Sequence, residues 1–265
     1  PGSTVTRTLL FDLDDTLIAD TLDAAVAVAS TCAAHPIDGA DAQAVSETVI
    51  ARARELWPTP AYGGALADEL GISAIEALYA DFTAGHERPA RLHDASESYR
   101  EQVWTESFRV HGWSPTGAEV DVVCKTFREV RTRAVTVYPD VREVLDELAS
   151  THRMGIITNG PADLQRDKLV ASGLAGYFDT VVISGELGEG KPSRAPFEAA
   201  MAALDADPTT TTMVGDNPAR DIAGADAAGI ASVCVTRPHS LVCDLTGHDP
   251  IEDLRGLLAR LDRST

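Results

Sequence analysis

The sequence predicts an α/β fold: a parallel sheet with helices on both faces, interrupted after its first strand by an inserted helical module. Three observations lead there. From Tyr138 onward, short apolar runs alternate with amphipathic helical stretches, the pattern of strands joined by crossover helices. A similar apolar run, Leu9-Leu10-Phe11, stands alone near the start. Between the two lies a long section, residues 18–137, rich in Ala, Glu and Arg at helical spacing and with no convincing strand.

The elements follow in order. Residues 6–14 read as the first strand, ending in the polar heptad Phe11-Asp12-Leu13-Asp14-Asp15-Thr16-Leu17. In the helical module, Leu22, Ala25, Val26 and Ala29 form one apolar stripe, and Val45, Val49 and Ala53 a second. Trp57-Pro58-Thr59-Pro60 breaks that pattern and Gly63-Gly64 makes a turn. Ile72 to Phe82, Ser96 to Phe108 and Val120 to Val130 read as helices, with a loop over residues 111–117. Beyond Tyr138 the spacing predicts a helix over 140–149 and a strand from Met154 to the Thr158-Asn159-Gly160 turn. A helix over 164–172, stopped by Gly173, and a strand over 180–184 follow. A helix capped by Ser193 runs to Leu204. The remaining elements are a strand over 212–216, a helix over 221–228, a strand over 231–236 and a closing helix over 251–261. The domain organisation expected is therefore residues 1–17 and 138–265 as the core and 18–137 as the helical insertion.

Composition narrows the function. The 265 residues carry a formal net charge of −19 and a pI of about 4.6, which argues against nucleic acid polymers and anionic membrane surfaces as partners. A small anionic substrate stays open, because a bound cation can make a local positive site. No apolar run is long enough to span a bilayer and no signal peptide is evident, so a cytoplasmic location is expected. Pro1-Gly2-Ser3 reads as an expression-tag remnant and takes no part in the fold argument. Cys32, Cys124, Cys234 and Cys243 form no C-x-x-C pair, and the expectation is free thiols, with Cys234 buried in a strand. No heptad or apolar seam argues for a particular oligomer, leaving a monomer or a homodimer.

In such a sheet, function gathers at the carboxyl ends of the strands. Extended backbone puts Asp12 and Asp14 on one side of the first strand. Two carboxylates at a buried strand end repel one another, and a hard divalent cation such as Mg²⁺ offsets that repulsion. The second strand ends in Thr158-Asn159-Gly160. Gly190-Lys191-Pro192 follows the third, and Gly215-Asp216-Asn217, with Asp221 beyond, follows the fourth. Carboxylates, a hydroxyl with free backbone amides, and a lysine are the groups phosphoryl transfer uses.

The order DLDDT, TNG, GKP and GDNPARD, together with IITNGPADLQRDKLVASGLAGYF over 156–178 and VGDNPARDIAGADAAG over 214–229, resembles the haloacid dehalogenase superfamily. The resemblance covers residues 6–17 and 138–265, and the helical insertion is similar to that family's type-1 cap. It implies a Rossmann-like core and a Mg²⁺-dependent phosphatase. Asp12 would be the nucleophile that forms an aspartyl-phosphate, and Asp14 the acid and base. Thr158, the backbone around Asn159 and Lys191 would hold the phosphoryl group. Asp12, the Asp14 carbonyl and Asp216 would bind the metal, with Asp221 beside it either as a ligand or through water. Branches that cleave carbon–halogen or phosphonate bonds lack an acid at the position of Asp14, so an oxygen leaving group is expected here. Within the superfamily the core is most similar to sialic acid 9-phosphate phosphatases and pyrimidine 5′-nucleotidases, which implies a sugar phosphate or a nucleoside monophosphate as substrate. A sugar phosphomutase and a non-catalytic binding protein on the same fold are the alternatives. Asp15 carries no derivable role. Tyr62-Gly63-Gly64, His86-Glu87-Arg88 and the Trp113 loop are the candidate substrate contacts in the insertion. Arg128, Arg131 and Arg133 read as a solvated basic face.

Overall fold

A computed structural model describes residues 7–238 and 249–263. Strand β1 (Arg7–Phe11) leads into six helices: α1 (Asp20–Ala34), α2 (Ala42–Leu56), α3 (Gly64–Leu70), α4 (Glu87–Ala90), α5 (His93–Val110) and α6 (Gly117–Arg133). The alternating part follows as α7 (Val141–Leu148), β2 (His152–Thr158), α8 (Ala162–Ala171), β3 (Thr180–Ile183), α9 (Ser184–Leu187) and α10 (Arg194–Ala203). It closes with β4 (Thr211–Gly215), α11 (Ala223–Ala228), β5 (Ala231–Cys234) and α12 (Arg255–Arg263). The five strands are all parallel, in the order β3-β2-β1-β4-β5.

Strand alternation builds two cores. Leu9, Phe11, Met154, Ile156 and Val214 point to one face, where they meet α7 and Leu257 of α12. Leu10, Ile157 and Met213 point to the other, against Phe197 and Ala200 of α10 and Ala225 of α11. Helices on both faces are what a parallel sheet requires to bury its apolar residues. The six inserted helices have a third core of their own, centred on Tyr99, Trp104, Phe108 and Phe127. In chain order the sheet grows from β1 to β3 in one direction, then restarts at β4 on the other side of β1. The place where such a sheet reverses is the one where ligands gather.

Three expectations change. The stripe Leu22, Ala25, Val26, Ala29 is not the buried face of α1: Leu22 and Val26 are exposed, and Ala27, Val28, Thr31 and Cys32 are buried. Helix α1 is rich in Ala on every side, so its hydrophobic spacing fits either face and its packing against α2 and α6 decides the orientation. The stretch from Ile72 to Phe82 forms only a single 3₁₀ turn, Glu76–Leu78; Glu76 closes it locally, its side chain accepting from the Ser73 amide and its own amide donating to the Ser73 hydroxyl oxygen. Arg131 is not on a solvated face. It is buried and paired with Asp20, while Arg128 pairs with Asp81. The second stripe, Val45, Val49 and Ala53, is buried as expected.

The cysteines also depart from expectation. Cys32 and Cys124 are free thiols, but Cys234 is disulfide-bonded. Cys243 lies outside the described residues. No helix among the described residues is long and apolar enough to cross a membrane.

One buried ion pair ties the first loop to the core. Arg237 donates to Asp140 at 2.9 Å and to the Thr16 carbonyl at 2.9 and 3.2 Å. Burial by itself would raise the Asp140 carboxyl, but the hydrogen bonds from Arg237 and the Leu254 amide outweigh it and hold the group below the usual carboxylate range. Asp140→Asn removes the carboxylate that Arg237 and the Leu254 amide share and is expected to lower stability by about 3 kcal/mol. A shift of the urea midpoint worth less than ~1 kcal/mol would mean that this pair does not anchor the loop.

Candidate active site

The carboxyl edge of the sheet gathers the residues singled out from the sequence. Asp12 follows β1 directly, and its amide donates to the Val214 carbonyl of β4 at 2.9 Å. Asp216 follows β4. The two carboxylates are bridged by the buried Thr16 hydroxyl, 3.2 Å from each. Asp221 sits in the turn after Asn217, which accepts from the Ala219 and Arg220 amides. The Asp221 carboxylate takes the Asn217 amide at 2.9 Å. This packing requires glycine at 215, where an added Cβ would lie 2.2 Å from Asp221 Oδ2.

Lys191 reaches this group from the loop after β3. Its buried Nζ is 2.5 Å from Asp12, 2.7 Å from Asp221 and 2.8 Å from the Ile157 carbonyl. The Asn159 side chain fixes its backbone, accepting from the Lys191 amide at 2.8 Å and donating to the Lys191 carbonyl at 2.9 Å. The Asp12 carboxyl is raised to about 7: burial and the neighbouring Asp221 push it up, and Lys191 holds it down in part. The same carboxylates hold the Lys191 ammonium above its ordinary value against the effect of its burial.

Oxygens of Asp12, Asp216 and Asp221 lie within 4.8 Å of one another, and all three residues are buried. The donors are all carboxylate oxygens, and two of the three residues share the Lys191 ammonium. Three clustered carboxylates with an all-oxygen donor set fit a hard divalent cation such as Mg²⁺. The Asp14 carboxylate does not join this group. It turns toward α8, where Gln165 Nε2 donates to it at 2.8 Å and Lys168 Nζ lies 3.0 and 3.1 Å from its two oxygens. Burial and the neighbouring Asp20 push the Asp14 carboxyl well up, and Lys168 opposes them.

Thr158 is fully buried, accepts from Gln165 at 2.6 Å and is absent from the cavity wall, whereas Asn159 is on it. The cavity, about 540 Å³, lies between the strand ends and the inserted helices. Its wall from the insertion includes Ile50, Arg54, Ile72, Glu76 and Tyr79. None of the contacts expected from Tyr62, His86 or Trp113 reaches it. Tyr62 bonds Gln102, His86 packs at Gly188 and Trp113 stacks on Phe108. Aromatic and charged residues in a helical module are seldom distinguishable from packing residues by sequence. The insertion also touches the sheet edge at Gly71, in a left-handed conformation with φ +66°, where a Cβ would meet the Asn159 amide at 2.4 Å.

Asp15, without a role in the sequence reading, caps the start of α1 by accepting from the Thr21 amide at 3.0 Å and its hydroxyl at 2.5 Å. Gln165, Lys168 and Glu76 are site residues that the sequence reading missed. A Q-x-x-K spacing after the TNG turn puts the first two on one helix face, and that was the available signal.

The haloacid dehalogenase-like hydrolase family matches residues 6–229. A phosphoserine phosphatase of Thermus thermophilus is 37% identical over 87% of this chain and 89% of its own length. The pyrimidine 5′-nucleotidase YjjG of Escherichia coli is 34% identical over 43% of this chain and 52% of its own. Among solved structures, the putative HAD-hydrolase YfnB from Bacillus subtilis, bound to magnesium, aligns over 98% of this chain and all of its own with a TM-score of 0.66, at 18% identity.

Proposed function

Since this chain belongs to the haloacid dehalogenase-like hydrolase family, we propose that it is a Mg²⁺-dependent phosphatase that hydrolyses a small phosphate monoester through an aspartyl-phosphate on Asp12. The observation that carries this reading is the Lys191 ammonium held between Asp12 and Asp221 with Asp216 alongside, beneath a cavity of small-molecule size. A carboxylate attacks a phosphate dianion poorly because the charges repel, and this arrangement supplies the counter-charge.

An Asp12 oxygen forms the bond to phosphorus while the bond to the leaving oxygen breaks. Asp14 gives its proton to that oxygen. Water then loses a proton to Asp14 and attacks phosphorus, which frees phosphate and restores the Asp12 carboxylate. Lys191 neutralises charge on Asp12 and the phosphoryl oxygens throughout. Asn159 fixes the Lys191 loop and offers backbone beside the phosphoryl group, and Thr158 anchors that turn from beneath. A bound Mg²⁺ would be held by Asp12, Asp216, Asp221 and the Asp14 carbonyl, and would neutralise the repulsion between nucleophile and phosphate. Residues 18–137 act as a cap over the core formed by 1–17 and 138–265, excluding water and shaping the leaving-group pocket.

The substrate class follows from similarity and cavity size. Sugar phosphates and nucleoside monophosphates fit the core's resemblance, and a phosphorylated amino acid joins them because the phosphoserine phosphatase matches along nearly its whole length. The test is phosphate release across these three classes, with Mg²⁺ or EDTA. Metal-dependent release from at least one class is expected. Mg²⁺ should also raise the unfolding temperature of substrate-free protein, by ~2.7 kcal/mol of added stability at about a hundred times its Kd. No release from any class, or release unaffected by EDTA, would remove the reading.

A further inference from the structure

The group that reaches Asp14 extends well beyond the residues assigned above. Lys168 is only 4% exposed, and its Nζ lies 3.0 Å from each of three carboxylates, those of Asp14, Asp20 and Glu76. Asp14 belongs to the loop after β1, Lys168 and Gln165 to α8 behind the sheet edge, and Glu76 to the 3₁₀ turn of the helical insertion. Asp20, at the start of α1, is held in turn by the buried Arg131 of α6. A buried ammonium with three carboxylate partners stays in place because leaving any of them uncovers a buried charge. Gln165, 1% exposed, splits its amide between Asp14 at 2.8 Å and Thr158 at 2.6 Å. The orientation of Asp14 is therefore set by α8, and α8's lysine is set partly by two residues of the insertion, Asp20 and Glu76.

We propose that Glu76, Lys168 and Gln165 are positioning residues that aim the Asp14 carboxyl at the leaving oxygen, and that Glu76 makes this aim depend on the insertion being docked on the sheet. The contacts at that junction support the dependence. Glu76 stays against Lys168 because Leu70 and Gly71 pack on the sheet edge, where the Leu70 carbonyl accepts from Ser184 Oγ at 2.6 Å. Further along the insertion, the His86 amide donates to the Gly185 carbonyl at 2.8 Å. With the insertion displaced, Lys168 would lose Glu76 and Asp14 would lose a fixed partner. Proton transfer to the leaving group would then be competent only under a closed cap, the state in which water is excluded.

This inference rests on the phosphatase reading, and the test separates the two. The comparison is made in kcat/KM, which reports steps only up to loss of the leaving group, so hydrolysis of the phosphoenzyme drops out. An alkyl phosphate needs a proton on its leaving oxygen, and dinitrophenyl phosphate does not. Glu76→Gln keeps the size of the side chain and an acceptor for the Ser73 amide; Gln165→Met keeps size and removes the donor. Both variants are expected to lose about tenfold or more in kcat/KM on the best alkyl phosphate of the panel, part of the roughly 10²–10⁴ that a positioned acid supplies. On dinitrophenyl phosphate the loss should stay below about threefold, and that retained activity shows that the variants fold. Equal losses on both esters, or no loss on the alkyl ester, would overturn the inference. Wild-type protein inactive on both esters, or an Asp12→Asn protein active on either, would instead remove the phosphatase reading beneath it.

Discussion

Asp12→Asn is expected to abolish phosphate release, by on the order of 10⁴-fold or more, as removal of a nucleophile does. The amide keeps the shape of the side chain and its place against Thr16 and Lys191, so the pocket should survive. What goes is the anionic oxygen that forms the bond to phosphorus. Stability should not fall with it. Three carboxylates crowd within 4.8 Å of one another, two of them sharing the Lys191 ammonium, and replacing one by a neutral amide relieves repulsion in metal-free protein. Lys191 keeps Asp221 as its charge partner. The unfolding temperature in EDTA is therefore expected to equal or exceed that of wild type, while the rise produced by Mg²⁺ shrinks. Activity and melting curves measured together check both halves. A variant that retains more than about a thousandth of wild-type turnover would point to a nucleophile other than Asp12.

Much of this site was legible in the chain, because its parts sit at strand ends. A buried parallel strand is an unbroken apolar run, and such runs announce themselves at Leu9, Ile156, Val181 and Val214 without any partner being known. The polar residues that follow each run must then converge at one edge of the sheet. That is why Asp12, Asn159, Lys191, Asp216 and Asp221 could be grouped from sequence and lie together in the structure. What stayed hidden depends on contacts between distant segments. Glu76 and Lys168 are 92 residues apart and Lys168 and Asp14 are 154 apart. A lysine on an amphipathic helix reads as a solvated charge until the fold shows that its tip is buried. Arg131 was misread for the same reason, since its partner Asp20 is 111 residues away. The apolar stripe of α1 failed differently. An Ala-rich helix has no sharply apolar face, so neighbouring helices choose which side they cover.

Lys191→Met should combine a loss of turnover with a loss of stability, and only the second should respond to metal. The lysine's three partners, Asp12, Asp221 and the Ile157 carbonyl, use all the donors an ammonium has. Removing it leaves two buried carboxylates without their cation and Asp216 close by. Breaking a buried pair in this way costs about 3–5 kcal/mol. Added Mg²⁺ should return part of that stability, because a cation among Asp12, Asp216 and Asp221 restores the missing charge. Turnover should still fall by about 10²–10³-fold, the usual effect of losing one fixed group that stabilises transition-state charge. Lys191→Arg is not expected to rescue it. A planar guanidinium cannot place donors in three directions from the position of one nitrogen, and at 2% exposure there is no room for its extra atoms. Turnover within about tenfold of wild type in Lys191→Met, with Mg²⁺ present and the protein folded, would show that the ammonium stabilises the metal-free fold and takes no part in the chemistry.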